Sequence, residues 1–156
     1  MEDPLLVSNE EAYKKYADEL VRFATGLVGP NDAADVVAEA FVRVLGSGSW
    51  PDVERPRSYL YRTVVNEVRM RHRSTMRRRA REMRAADREA MEDRSVRPEV
   101  LENLGVLSAR QRAVVVLTYW EDLAPREVAD RIGISEGSVR RHLARARAKL
   151  REVLDV

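Results

Sequence analysis

The chain has 156 residues, 28 of them Lys or Arg and 26 Asp or Glu, for a net charge of only +2; that length holds one ordinary domain or two very small ones. The absence of cysteine excludes disulfides, thiolate nucleophiles and cysteine-based zinc sites, and the only histidines, His72 and His142, are too far apart in sequence to suggest a metal centre. No apolar run approaches the roughly 20 residues of a membrane span, and the acidic start Met1-Glu2-Asp3 lacks the pattern of a signal peptide, so a soluble cytoplasmic protein without a cofactor is expected.

Apolar residues recur at three and four along nearly every periodic segment, which predicts an all-α fold. Tyr16, Leu20, Phe23 and Leu27 form the first stripe, stopped by Gly29-Pro30. Val37, Ala40, Phe41 and Val44 form the second; Asn31 is the expected N-cap, with Asp32 and Asp35 in the favourable first turn. Gly46-Ser47-Gly48-Ser49-Trp50-Pro51 then breaks into a loop that runs to a helix near Pro56, whose stripe is Leu60, Val64, Val65 and Val68. From Ser74 to about Glu102 that stripe fades into Arg, Glu, Ala, Asp and Met, a helical extension fraying into a linker or, since these are good helix formers, a long stable helix. Beyond it, Ser108 and Gln111 have the spacing of a capping box, ahead of a buried face at Val114, Leu117 and Thr118. Two further helices start at Pro125 and after Ser135, the last running to about Val153. The expected organisation is a helical domain over 1–75, a charged linker over 76–103 and a second helical domain over 104–156.

Charge is segregated along this plan. The first third is acidic, whereas Arg55 to Arg81 sets ten arginines against Glu67 alone, and a second basic run closes the chain from Arg140 to Arg151. Two basic surfaces suggest two contacts with a polyanion. The second surface has a motif under it. Ala129, Gly133 and Val139 have helix-turn-helix spacing: a small residue where helices cross, a glycine for the turn, and a buried residue, with Val128, Ile132, Ile134 and Leu143 packing the unit. Ser135 would cap a helix offering Ser138, Arg140, Arg141 and Arg145 to the major groove and phosphates. A solvated cationic face is the plainer reading; against it, no acid follows these cations until Glu152, so intrahelical ion pairs are not expected. Glu136 is open to either base selection or a favourable charge at the helix N-terminus.

Leu107 to Leu150, LSARQRAVVVLTYWEDLAPREVADRIGISEGSVRRHLARARAKL, resembles region 4 of bacterial sigma factors; alone, it also resembles the output domain of LuxR-type regulators. DAADVVAEAFVRVL, Asp32 to Leu45, resembles region 2.2, and RPRSYLYRTVVNEVRMRHR, Arg55 to Arg73, resembles regions 2.3 and 2.4. Both regions in this order resemble the extracytoplasmic-function group of the sigma-70 family.

The resemblance implies a subunit that directs core RNA polymerase to promoters and is not an enzyme. Region 4 would read the minus-35 element through Arg126, Ser138, Arg140, Arg141 and Arg145. Region 2 would read and open the minus-10 element through Trp50, Tyr59, Arg62, Asn66, Arg69 and Arg73, capturing an unstacked base near Asn66. Trp50 is equally readable as a buried loop anchor, and one of Tyr59 and Tyr61 is expected in the core. The region 2.2 helix would dock on the clamp coiled coil of the largest polymerase subunit through Asp35, Glu39, Phe41 and Arg43, although Phe41 also fits the core stripe. The polymerase flap and an anti-sigma factor are further implied partners, and the linker would thread the polymerase's nucleic-acid channels. Ala38, Met70 and Ala124 depart from the family pattern, where Gln, Asp and a capping side chain are common; the last departure weakens a cap by about 1 kcal/mol. A free-standing helix-turn-helix regulator is the rival reading. An enzyme acting on nucleic acid would need a carboxylate or nucleophile cluster, and no spacing supports one.

Overall fold

The first stripe is buried in α1 (Asn9–Val28), where Leu20, Phe23 and Leu27 are fully excluded from solvent. Here the computed structural model, which describes residues 9–48, 50, 53–85 and 104–154, turns at once into α2 (Pro30–Gly46). Gly29, at φ 87°, makes that turn and is itself the N-cap, so Asn31 lies inside the first turn rather than at the cap. The shift has a physical cause: Pro30 fits the first helical position, where its missing N–H is no loss. Asp32 falls in the first turn, while Asp35 lies past it.

α3 (Pro56–Ala85) closes a three-helix bundle over α1 and α2 with Leu60, Tyr61, Val64, Val65 and Val68. Phe23 and Tyr61 rings meet at 4.8 Å inside it. The helix continues to Ala85, ten residues into the segment expected as linker; the remainder of that segment, 86–103, lies outside the described residues. At 1.5 Å per residue α3 is roughly 45 Å long, and its second half leaves the bundle.

The second half of the chain is built from α4 (Ala109–Tyr119), α5 (Pro125–Ile132) and α6 (Glu136–Leu154). The capping box opens α4 as the sequence predicts: Ser108 Oγ accepts from the Gln111 N–H and Gln111 Oε1 from the Ser108 N–H. α5 has only half of one, since Ala124 offers no acceptor and only the Glu127 carboxylate reaches back to the Ala124 N–H. The missing acceptor is worth about 1 kcal/mol; burying Val128 and Ile132 contributes roughly 1.5–3 kcal/mol each, so packing decides and the helix forms. Gly133 ends α5 in the left-handed conformation (φ 68°, ψ 38°). Ser135 Oγ then accepts from the Ser138 N–H at 3.1 Å and caps α6, whose Val139, Leu143 and Ala146 pack inward.

The two halves touch. α1 packs on α4 and α3 on both α4 and α5, and the buried apolar residues of both halves form one cluster. Gly26 lies against the Val116 methyls, Arg112 donates to the carbonyls of Leu27 and Leu104, and Gly133 meets Arg62 and Ser58. Burial lowers the pKa of Arg112 from the usual arginine range.

His142 of α6 is half-buried, and its Nδ1 has no hydrogen-bond partner among the described residues. Burial, then the charges of Arg110, Arg145 and Arg141, lower its pKa from 6.5. As pH falls, the unfolded chain therefore binds the proton first, so the stabilisation present above about pH 6.5 is lost through the range below it. His142→Gln should flatten the fall in Tm between pH 7 and pH 5; a slope equal to wild type would sink this assignment. Gly133→Ala should cost at least ~1–2 kcal/mol, because an L-residue is disfavoured at that φ and the new Cβ would stand 2.7 Å from Arg62 Cδ. Thermal melting that shows no loss would reject the fit.

Candidate nucleic-acid interface

Core packing of α3 fixes what its other face presents. With Leu60, Val64 and Val68 turned inward, Tyr59, Arg62, Asn66, Arg69 and Arg73, spaced alternately by three and four, share the outer stripe. Tyr59, Asn66, Arg69 and Arg73 line a cleft of about 400 Å³ between α3 and the end of α2, joined by Arg43, Ser47 and Met70. Among the described residues no carboxylate lines it. The combination provides an aromatic face for stacking, an amide that both donates and accepts, and guanidinium groups for phosphate.

Two expected members lie elsewhere. Trp50 is 8% exposed and packs into the core, so its indole anchors the loop and has no open face for a base. Arg62 is exposed but turned toward the second half, sharing a smaller cavity with Asn66, Arg110, Gly133 and Ile134. Of the two tyrosines left open by the sequence, Tyr61 is the core residue and Tyr59 the half-buried one. Tyr61 OH donates to Glu19 at 3.1 Å, with the Arg131 guanidinium 5.3 Å from its ring centroid. Burial, then the Glu19 charge, push its pKa up to about 12 against the opposing pull of Arg131. Glu19 also accepts from Arg57, and that hydrogen bond raises the Arg57 pKa further.

On α2 the structure divides the expected docking residues. Phe41 is 3% exposed, its ring 5.1 Å from that of Tyr13, and belongs to the core rather than to a docking surface. Glu39 pairs with Arg71 of α3 at 3.0 Å, and Arg43 Nε lies 2.5 Å from Oε1 of the buried Glu67. That second contact is charge-held: no N–H among the described residues is aligned to hydrogen-bond this oxygen. Breaking a fully buried pair costs ~3–5 kcal/mol; Arg43 is 61% exposed, so its loss costs less, but its charge is already engaged in joining α2 to α3. Asp35 and Glu39 remain exposed on one face with Ala38 and Val42. Val42, 75% exposed, is the residue the sequence reading missed; its place outside the core stripe was the available signal.

α6 presents its cations outward, with Arg140, Arg141 and Arg145 exposed, Ser138 half-buried and Arg126 exposed on α5. The expectation that this face lacks intrahelical ion pairs is wrong: Arg140 pairs with Glu136 at 2.9 Å, one turn toward the N-terminus. The acid precedes the cation instead of following it. Both partners are exposed, a setting worth only ~0.3–0.5 kcal/mol. Arg141 donates to Ser138 Oγ at 3.0 Å, which orients both toward the same end of the helix. Among the described residues no group of three His, Cys, Asp or Glu is placed to hold a metal, and no helix is long and apolar enough to cross a membrane.

Comparison with known proteins finds matches to both halves of the chain. Residues 12–79 match the model of sigma-70 region 2, and residues 98–150 match that of sigma-70 region 4. The RNA polymerase sigma-E factor of Streptomyces avermitilis is 35% identical over 94% of this chain and 84% of its own length; that of Streptomyces coelicolor is 35% identical over 93% and 85%. Among solved structures, the sigma factor RpoE from Bartonella quintana, in complex with the anti-sigma factor NepR, shares the fold at a TM-score of 0.60 and 23% identity, over 94% of this chain and 96% of that one. CnrH, in complex with the cytosolic domain of CnrY, does so at 0.57 and 26%, over 97% and 92%. The region 2 match disfavours the free-standing regulator, which needs only the second half. The chain belongs to the sigma-70 family of RNA polymerase sigma factors, with regions 2 and 4 in the arrangement of the extracytoplasmic-function group.

Proposed function

We propose that this sigma factor brings core RNA polymerase to promoters whose minus-10 element enters the α3 cleft and whose minus-35 element meets the outer face of α6. The observation that carries the reading is the convergence of Tyr59, Asn66, Arg69 and Arg73 on one cleft. Extruding a base from a stack costs a few kcal/mol, and stacking on an aromatic ring recovers ~1–3 kcal/mol per base before any hydrogen bond is counted. Asn66 supplies the directional bonds, while Arg69 and Arg73 hold the flanking phosphates. In region 4, the helix N-terminal end with Ser138 and Arg141 reads base edges, and Arg126, Arg140 and Arg145 fix register on the backbone. The protein makes and breaks no covalent bond.

Asp35, Glu39 and Val42 form the α2 face that docks on the clamp coiled coil, with region 4 on the flap and an anti-sigma factor as the regulatory partner. This work takes place in the cytoplasm. The linker expected over 76–103 threads the polymerase's nucleic-acid channels.

Run-off transcription from fragmented genomic DNA, with core polymerase alone and with core plus this protein, tests the function. New discrete transcripts sharing two spaced upstream motifs are expected; specific duplex binding without any complex with core would favour a free-standing regulator instead. Asn66→Ala should impair promoter opening, read by permanganate reactivity, more than core binding, and unchanged opening would remove it from the cleft's function. Arg141→Ala should cost ~1–3 kcal/mol at one base position if it reads a base, against a nearly uniform loss across sequences if it holds phosphate. No loss on any promoter would remove it from the interface.

A further inference from the structure

The cations that the sequence assigns to the cleft all come from α3, yet the cleft has a second wall. The end of α2 supplies it with Arg43, Val44 and Ser47. Val44 is buried in the core, and Ser47 Oγ donates to the Val44 carbonyl at 2.7 Å as the helix ends. Arg43 is thus the charged side chain that α2 gives the cleft, facing the Asn66, Arg69 and Arg73 of α3.

Its setting is unlike that of a surface arginine. Beneath it lies Glu67, with Arg43 Nε and Glu67 Oε1 2.5 Å apart; the Glu67 side chain is 4% exposed and that of Arg43 61%. A carboxylate this deep is costly unless a cation stays beside it, so Arg43 is held against the wall. One turn back along α2, Glu39 pairs with Arg71 at 3.0 Å, and the two cross-links fix the end of α2 against α3. A guanidinium carries five N–H donors in one rigid plane. The contact with Glu67 is made at Nε, and the terminal pair that grips phosphate in bidentate fashion lies further out on a mostly exposed side chain.

Electrostatics also call for a cation here. A helix C-terminus carries about half a negative charge, and the Glu67 carboxylate adds a full one behind the same wall. Without Arg43 this wall would repel a polyanion; with it, the wall offers donors. A groove that binds an unpaired strand tracks its backbone with cations while the bases stack on aromatic rings. With a base on Tyr59, Arg69 and Arg73 meet the phosphates along α3, and the phosphate that passes the end of α2 falls to Arg43.

We propose that Arg43 is a strand contact of the minus-10 cleft, gripping a backbone phosphate from the α2 wall, and that the buried Glu67 is the residue that positions it. The assignment rests on the minus-10 reading of the cleft. It also takes Arg43 out of the polymerase-docking set in which the family resemblance alone would place it, leaving Asp35, Glu39 and Val42 there.

The test measures, over a range of salt, how holoenzyme made from core and the full chain binds single-stranded oligonucleotides from the non-template strand of a promoter recovered by run-off transcription. Arg43→Gln should weaken binding at least fivefold, by the same factor on strands with substituted bases, while affinity for core stays within twofold of wild type. It should also flatten the fall of log affinity with log salt, whose slope is ~0.7 per phosphate contact on a single strand. Strand binding equal to wild type would overturn the proposal. Because this change strands a buried carboxylate, the Arg43→Gln, Glu67→Gln double variant separates folding from contact. It holds no orphaned charge and should melt near wild type, yet bind the strand as weakly as Arg43→Gln; recovery of wild-type binding would reduce Arg43 to a brace between helices and sink its contact role. Glu67→Gln alone keeps the cation and loses the anchor, and should weaken strand binding at least threefold. Unchanged or tighter binding would mean that Glu67 only offsets charge, and would overturn its positioning role. A wild-type holoenzyme that binds no such strand overturns the minus-10 reading itself, and with it this assignment, before any variant is made.

Discussion

The division of α3 into a core stripe and an outer stripe is the constraint on which the rest depends. Leu60, Val64 and Val68, with Tyr61 and Val65 beside them, must face inward, because these residues close the first bundle. At 3.6 residues per turn, that requirement carries Tyr59, Asn66, Arg69 and Arg73 to the opposite side without further instruction. The same rotation brings Arg62 to the region 4 turn. One helix thus closes a bundle, lines a cleft and meets the second half, and its rotation couples all three.

Much of this was legible because its causes are local. The stops at Gly29-Pro30 and Gly133, the start at Pro56 and the box between Ser108 and Gln111 follow from backbone chemistry within a few residues. The four stripes were legible because periodicity reports burial. Asn31 falls inside the helix because the preference of Pro30 for the first helical position outweighs a capping side chain one residue further on. The Arg140–Glu136 pair is local too, its acid lying one turn to the N-terminal side of the cation.

The rest depends on residues far apart in the chain. Nothing near Glu67 shows that it is buried beneath Arg43, or that Glu39 is matched to Arg71, since both pairs exist only once α2 lies across α3. Trp50 and Phe41 have side chains suited to either a surface contact or a core, and only the finished packing sends them inward. The contact between the halves was likewise invisible. A glycine at position 26 looks like a weak point in a helix until Val116 is seen against it.

The far end of α3 differs in kind from its beginning. Arg73 at the rim of the cleft, then Arg77 and Arg81, recur one turn apart, so like charges stack along the exposed face of the helix. Such pairs each oppose the helix by ~0.2–0.5 kcal/mol, an amount that added salt or a neighbouring polyanion cancels. The winding of this segment is therefore tied to its ionic surroundings. Near phosphate those repulsions are offset, and in dilute electrolyte they act unscreened.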